Sequence, residues 1–443
     1  MTDQRFKRHV HVVGVAGVGM SALAEALLDQ GWRVTGSDRS HDQGVVLEVL
    51  QKLRRQGVEL VPQDGVSLTT ETVALAVSTA IEGDNPEVAA AQRLGIEIVH
   101  RAEMLARLAD GRRVVAVSGT AGKTTITGML GYLLEQAGLD PTVVNGGVVL
   151  DWAGRDRLGN GRRGASDLWV LEADESDRSL LRFHPRHAIL SNVSKDHFEL
   201  AEVEELFRTF VGQVSGTVVA GRGVAARLGV AALEVAVDPV WVDGRWTFRW
   251  AGRSFSVALP GRHNAENAAL AVAMCEVLGA DLDRVAKALA VFRGVHRRLE
   301  RIGERKGVVV IDDYAHNPAK IAASWRAVAE TANHVYGYWR PHGFAPLALM
   351  KDELAEAFSE VCRPGDRLFL LPVFYAGGTA QRTMNSDDFA QILQARGVAA
   401  EAVSDYEELG RRLAGARAGD AVLGMGARDP ELPLFARRWA AAG

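Results

Sequence analysis

The residues best suited to chemistry stand at Gly119-Thr120-Ala121-Gly122-Lys123-Thr124-Thr125. A β-branched run, Val114-Val-Ala-Val117, leads into this turn, and a helix-spaced apolar segment follows to about Ala137. A glycine turn between strand and helix aims backbone N–H groups at phosphate oxygens, where the helix N-terminus adds positive potential. Lys123 supplies a point charge and the Thr124 hydroxyl a Mg2+ ligand. Val117, not glycine, stands five positions before Gly122, so this is a shorter form of the phosphate loop. Downstream, Leu168-Trp-Val-Leu171 runs into Glu172-Ala-Asp174-Glu175-Ser-Asp177, four carboxylates within six residues. Acidic groups just past a strand suit a hydrated Mg2+ beside a nucleotide. Their place after a phosphate loop favours that role for Glu172 over a solvated turn, and leaves Asp174, Glu175 and Asp177 open between the two. Asn192-Val-Ser-Lys195-Asp196-His197 follows another apolar strand, where His197 is either a cation ligand or half of a structural Asp–His pair.

Four further segments carry polar groups at the starts of elements. Gly14-Val-Ala-Gly17-Val-Gly19 follows the run His9–Val13, with Asp38 about 20 residues beyond the turn, as in dinucleotide sites, although the glycine spacing differs. Beside a separate ATP-type loop, this turn suits a nucleotide diphosphate carried by the substrate. Gly261-Arg-His263-Asn264-Ala-Glu-Asn267 opens a long helix, where an asparagine either reads a purine edge or caps the helix. Val295-His-Arg-Arg298-Leu-Glu300 is basic, and Asp312-Asp313-Tyr-Ala-His316-Asn-Pro318 ends a strand. Open α/β sheets bind ligands at such ends.

The elements that position these groups read as α/β throughout. Strand, glycine turn and helix recur from His9 and again from Val114, and a third start follows at Val308-Val-Val-Ile311. This predicts parallel sheets with right-handed crossovers. The expected domains are 1–109, Rossmann-like, 110–297, of the phosphate-loop ATPase type, and 298–443, Rossmann-like. Further expectations are a β-rich patch over about 217 to 259, helices at 264–278 and 283–291, and a surface loop at 152–164. A length of 443 residues agrees with about three domains at roughly 150 residues each.

Composition narrows the classes. With 47% hydrophobic and 24% charged residues the chain is globular rather than disordered. A net charge of -4 gives no global field for nucleic acid. Two cysteines, Cys275 and Cys362, build neither a disulfide framework nor a cysteine zinc site. No apolar run reaches the ~18 residues of a membrane helix, and the charged start lacks a signal-peptide core. The expectation is a cytoplasmic enzyme with no membrane or nucleic-acid partner. Glycine, 46 residues, is enriched to about 10% against an average near 7%.

In their order these segments resemble the Mur ligases, ATP-dependent amide-forming enzymes of peptidoglycan precursor synthesis. The resemblance rests on Gly14 to Ser21, Ser78 to Pro86, Gly119 to Thr125, Glu172 to Asp177, Asn192 to His197, Gly261 to Asn267 and Asp312 to Pro318. It implies that Gly14, Gly17, Gly19 and Met20 hold the diphosphate of UDP-N-acetylmuramate, with Ser37, Asp38 and Ser78 nearby. It further implies that Gly119 to Thr125 hold ATP phosphates, and that Thr124, Glu172 and His197 bind Mg2+. By the same resemblance, His263, Asn264 and Asn267 lie near adenine and Arg298 near the phosphates, while Asp312 and His316 face ATP or the incoming amine. Lys123, Glu172, His197 and His316 are thereby the expected catalytic residues, and His342 contacts substrate. The acceptor is a small amino acid such as L-alanine, or a murein tripeptide, and the protein a monomer or homodimer. A non-catalytic nucleotide-binding homologue is the alternative in a different class. Alanine-adding members usually carry Gln-Pro-His-Arg-Tyr after a strand of the third domain. Here the segment is Arg340-Pro-His342-Gly343-Phe344, with glycine at the arginine position.

Overall fold

The computed structural model describes residues 8–195, 198–375 and 384–442. The chain gathers into two compact units, the first of Met1–Pro239, Thr247–Ala258 and Glu266–Val295, the second of Val240–Trp246, Leu259–Ala265 and His296–Gly443.

The first unit holds two parallel sheets. In one the strand order is Glu59–Leu60, Arg33–Ser37, His9–Val13, Thr72–Val77, Glu97–His100. All five residues of His9–Val13 are buried, as expected of a strand covered on both faces. Its glycine turn leaves the sheet where the strand order reverses, the ligand crevice of doubly wound folds. Helix Val18–Asp29 follows and buries Met20, Leu23, Leu27 and four small residues.

Polar residues thread this sheet. His9 and His11, two apart, point to the same face. Thr72 Oγ1 bonds His9 Nδ1 (3.1 Å), and Thr35 Oγ1 bonds both His9 Nε2 (2.9 Å) and His11 Nδ1 (2.7 Å). His11 Nε2 meets Glu87 Oε1 (2.8 Å), and the Ser37 hydroxyl donates to Glu87 Oε2 (2.7 Å). All six side chains are buried. Burial, with Arg33 and His11 adding to it, pushes the His9 imidazole down to about 4, so that ring is neutral.

The second sheet of this unit centres on Arg113–Ser118, flanked by Leu168–Glu172 and His187–Leu190. Register sets Val117 beside Glu172 and Ser118 beside Leu190, so the turn at 119, the acidic stretch and the 191–194 segment leave one edge together. Helix Lys123–Gln136 is buried at every residue from Thr124 to Leu134. Its hydrophobic residues are not confined to one face, as befits a helix covered all round.

The stretch 152–164 is more than the expected surface loop. Trp152, Leu158 and Asn160 are buried, and Gly161–Arg162 adds an antiparallel strand. Asn160 Nδ2 donates to the Val18 carbonyl (2.8 Å) and the Ser21 hydroxyl (2.9 Å), pinning the stretch to the helix after the first glycine turn. The expected β patch over 217–259 divides as well. Val218–Gly221 and Leu233–Val235 extend the second sheet, while Val240–Val242, Arg245–Trp250 and Arg253–Val257 form a small sheet of their own.

The second unit carries a sheet ordered Glu300–Arg305, Val308–Asp313, Ala421–Met425, Val335–Trp339, Arg367–Leu370, Ala400–Ala402, parallel except for its first strand. Trp325, Trp339, Phe358 and Phe389 fill one face with edge-on and tilted aromatic contacts. The expected helices at 264–278 and 283–291 are found at Arg262–Val277 and Leu282–Leu289, the second capped by Asp281.

Candidate active site

The phosphate loop is locked from one side. Ser191 Oγ donates to the Ala121 carbonyl (2.5 Å), and Asn192 Oδ1 accepts from Thr120 Oγ1 (2.6 Å) and Ala121 N (3.0 Å). Ser194 N donates to Thr120 Oγ1 (3.1 Å). Gly119 is obligatory there, since a Cβ would lie 2.0 Å from Ser191 Oγ at a φ of +132°. Asn267 lies against the other side, its Oδ1 2.8 Å from where a Cβ of Gly122 would be. Sequence reasoning named the loop but not Ser191 or Ser194, whose only signal was their place after an apolar strand.

Lys123 opens the helix and turns back over the loop. It donates to the Gly119 carbonyl (3.0 Å) and to Glu175 Oε2 (2.5 Å), with Asp174 Oδ1 at 3.7 Å. Burial alone would pull the lysine down, but Glu175 and Asp174 overcome it and hold the ammonium above the usual lysine range. Glu175 is buried, and its Oε1 has no hydrogen-bond partner among the described residues. Glu175 and Asp174 both face the loop cation. Asp177 instead approaches His100 Nε2 (3.6 Å) and Arg101 Nη2 (3.9 Å).

Glu172 stands beside Thr124. Thr124 Oγ1 donates to Glu172 Oε1 (2.9 Å), and Gly146 N donates to Oε2 (2.7 Å). A Cβ at Gly146 would fall 2.6 Å from Oε2, so the Asn145-Gly146-Gly147 turn is shaped around this carboxylate. A hydroxyl and a carboxylate oxygen are the hard donors that Mg2+ takes, and the residues fit that ion. His197, the third expected ligand, lies outside the described residues, among which no group of three or more His, Cys, Asp or Glu could hold a metal.

At the first glycine turn, Gly17 N donates to the Gly14 carbonyl (3.0 Å), and Ala16 N donates to Asp38 Oδ2 (3.1 Å). Asp38 Oδ1 takes Ser40 N (2.9 Å), so the carboxylate braces the turn and caps the next helix. Gly19 lies under Arg101, whose Nη1 is 2.8 Å from where its Cβ would be. The Met20 side chain packs in the core and the Ser37 side chain is enclosed with Glu87, which leaves their backbones for any contact with substrate. Ser78 is partly buried just past the neighbouring strand.

In the second unit Asp312 is corrected. It is wholly buried and accepts from Arg297 Nε (2.8 Å), so its role is that of an internal counter-ion rather than a nucleotide ligand. Burial, against the pull of Arg297, pushes its carboxyl up to about 6. Asp313 shapes the turn, accepting from Leu299 N (2.7 Å), Ala315 N (2.8 Å) and Ser324 Oγ (3.0 Å). His316 Nδ1 bonds the Tyr314 carbonyl (2.9 Å), and its ring meets that of His342 edge-on at 5.2 Å. Burial lowers His316, and burial with His316 and Arg428 pushes His342 down to about 4, so both rings are neutral. Arg298 is exposed over the Tyr314 ring at 6.0 Å. Asn264 donates to the Pro260 carbonyl (2.7 Å), a structural contact at the helix start, and His263 is exposed beside it.

Comparison with known proteins adds three family matches. The model described as Mur ligase family, catalytic domain, matches residues 9–113, the Mur ligase middle domain matches 117–211, and the Mur ligase, glutamate ligase domain, matches 297–428. A UDP-N-acetylmuramate–L-alanine ligase of Rhodopseudomonas palustris is 35% identical, with 96% of each chain covered. One from Gloeobacter violaceus is also 35% identical, over 94% of this chain and 92% of the relative. Among solved structures, the UDP-N-acetylmuramate-alanine ligase of Thermotoga maritima superposes with a TM-score of 0.75 at 25% identity, covering 98% of both chains. A murein peptide ligase of Psychrobacter arcticus shares the fold, with a TM-score of 0.64 at 20% identity over 98% of both.

Proposed function

Because the chain belongs to the Mur ligase family, we propose that it joins L-alanine to the lactyl carboxylate of UDP-N-acetylmuramate with cleavage of ATP. The observation that carries this reading is the phosphate loop, with Lys123 held by Glu175 on one side and Thr124 paired with Glu172 on the other. The names of the relatives at 35% identity support the choice of alanine. The sheets of five, seven and six strands support a reading in three working parts, divided near residues 110 and 298 and taking the UDP-sugar, ATP and the amino acid in turn. No helix among the described residues is long and apolar enough to cross a membrane, and we place the reaction in the cytoplasm.

The substrate carboxylate attacks the γ-phosphorus of ATP, the bond to the β-phosphate oxygen breaks, and ADP leaves. The amine of alanine then attacks the acyl carbon, inorganic phosphate departs, and the amine gives up its proton. The first step brings an anion onto an anion, so it needs charge neutralisation at the phosphates. Lys123 supplies one positive charge there, moving from Glu175 to phosphate. Thr124 and Glu172 would hold Mg2+, which supplies the remaining neutralisation. Ser191, Asn192 and Ser194 keep the loop amides aimed. The backbone of Gly14 to Gly19 binds the diphosphate of the sugar nucleotide, with Asp38 holding the turn open.

The test is phosphate release from Mg-ATP and UDP-N-acetylmuramate with a panel of amino acids and the murein tripeptide. Release with L-alanine above all others is expected. Release with the tripeptide alone would move the protein to the recycling branch, and none with any acceptor would sink the ligase reading.

A further inference from the structure

A carboxylate carried by a nucleotide at the first glycine turn must meet the γ-phosphate of ATP at the second, yet the two turns leave different sheets of the first unit. Several contacts cross between these sheets at the surface. Arg55 pairs with Asp156 (2.9 Å), and Arg182 Nη1 donates to Glu103 Oε2 (3.0 Å). Asn160 crosses in the interior, at 2% exposure. Its side chain donates to the Val18 carbonyl (2.8 Å) and to Ser21 Oγ (2.9 Å), while Ser21 Oγ itself donates to the Val18 carbonyl (3.0 Å). A carbonyl oxygen only accepts, so the amide turns its NH2 group to the helix and both hydrogens are taken. Ser21 N donates to the Gly17 carbonyl (2.8 Å) and Gly17 N to the Gly14 carbonyl (3.0 Å), which carries the chain of bonds into the first glycine turn.

The main chain of the same residue leads the other way. The Asn160 carbonyl accepts from Asn145 N (2.9 Å), and Asn145 Nδ2 closes its own turn on the Gly147 carbonyl (2.9 Å). The amide between them, Gly146 N, donates to Glu172 Oε2 (2.7 Å), and Glu172 Oε1 accepts from Thr124 Oγ1 (2.9 Å). A Cβ on Gly147 would lie 2.7 Å from Thr124 Cγ2, so this turn packs against both groups that suit Mg2+. One buried residue therefore holds the start of the helix after the first glycine turn with its side chain. With its backbone it holds the turn that shapes the carboxylate beside the phosphate loop. Such an unbroken line of short bonds transmits a displacement at one end to the other.

We propose that Asn160 is a positioning residue, fixing the first glycine turn relative to Glu172 and Thr124 so that the substrate carboxylate meets the γ-phosphorus at attacking distance. The proposal rests on the ligase reading above. A misplacement of about 1 Å costs on the order of 100-fold in rate. With the full-length protein, Asn160→Ala is expected to lower kcat for phosphate release about 10- to 100-fold, with KM for ATP and UDP-N-acetylmuramate within about threefold. Ser21→Ala removes one of the two acceptors and should lower kcat by a smaller factor, about 2- to 5-fold, which keeps the test open should Asn160→Ala not fold. Arg55→Ala breaks a surface crossing that has no link to Glu172, and should leave kcat within about twofold. The proposal is overturned if Arg55→Ala and Asn160→Ala lower kcat equally, or if Asn160→Ala raises both KM values with kcat unchanged. Should the wild type release no phosphate with any acceptor, the ligase reading fails and hydrogen exchange decides. Saturating Mg-bound β,γ-imido-ATP is expected to slow amide exchange at Ser21 to Leu23 at least threefold in the wild type and not in Asn160→Ala. Equal slowing in both, or none in the wild type, overturns the proposal.

Discussion

At the scale of single residues, Lys123 is the group on which the reaction turns. It is partly buried, has two carboxylates within 4 Å, and opens the helix after the loop proposed to hold phosphate. Lys123→Ala should lower phosphate release by about a thousandfold or more, measured at saturating ATP. Glu175 competes with phosphate for the same ammonium. Replacing it by glutamine leaves the cation less satisfied and should tighten ATP binding by about 3- to 10-fold, read by calorimetry, an effect a purely structural carboxylate would not give. Lys123, Thr124 and Glu172 were legible in the sequence because a glycine turn and a strand end announce themselves locally. Glu175 was only half legible, since its partner stands 52 positions away. Motif membership did not foretell that the side chains of Asp312, Met20 and Ser37 turn inward, for one reason. It says that a residue is near a site, not which way the backbone turns it, and of Asp312 and Asp313 the first points into the core.

At the scale of elements, the phosphate loop is held between two others, the segment at 191–194 and the helix start at Asn267. This is why its glycines cannot be exchanged. Gly119→Ala sets a methyl against Ser191 at a φ that side chains rarely adopt, and should cost about 2–4 kcal/mol in urea unfolding together with most ATP binding. Strand and helix positions were read closely from periodicity, because buried parallel strands and helices carry continuous apolar runs. The stretch 152–164 was not. Its glycines and arginines read as solvent-exposed, while its anchors, Trp152, Leu158 and Asn160, are spaced by no repeating period.

At the scale of the molecule, the two sheets of the first unit are joined through Glu25 on helix Val18–Asp29, whose Oε1 accepts from Gln56 Nε2 (2.7 Å). A Cβ on Gly161 of the second sheet would lie 2.9 Å from its Oε2, which has no hydrogen-bond partner among the described residues. Burial raises this carboxyl from 4.5 to about 7, against the hydrogen bonds from Gln56 and Leu158. The folded protein thus keeps a proton that the unfolded chain has already lost between those values, and stability from this group falls as pH rises across the window. Glu25→Gln should remove that slope and gain about 1–3 kcal/mol at pH 8, with little gain at pH 4, compared by denaturant midpoints. The buried line from Thr72 through His9, Thr35, His11 and Glu87 to Ser37 bears on how the first sheet assembles at all. Strand pairing tolerates slips when only apolar groups meet, because one valine replaces another. Here a slip of one residue turns both imidazoles to the opposite face and strands a carboxylate in hydrocarbon. The polar line thereby proofreads strand registration: misaligned pairings are too unstable to persist, and the glycine turn at Gly14 forms only on a correctly threaded sheet.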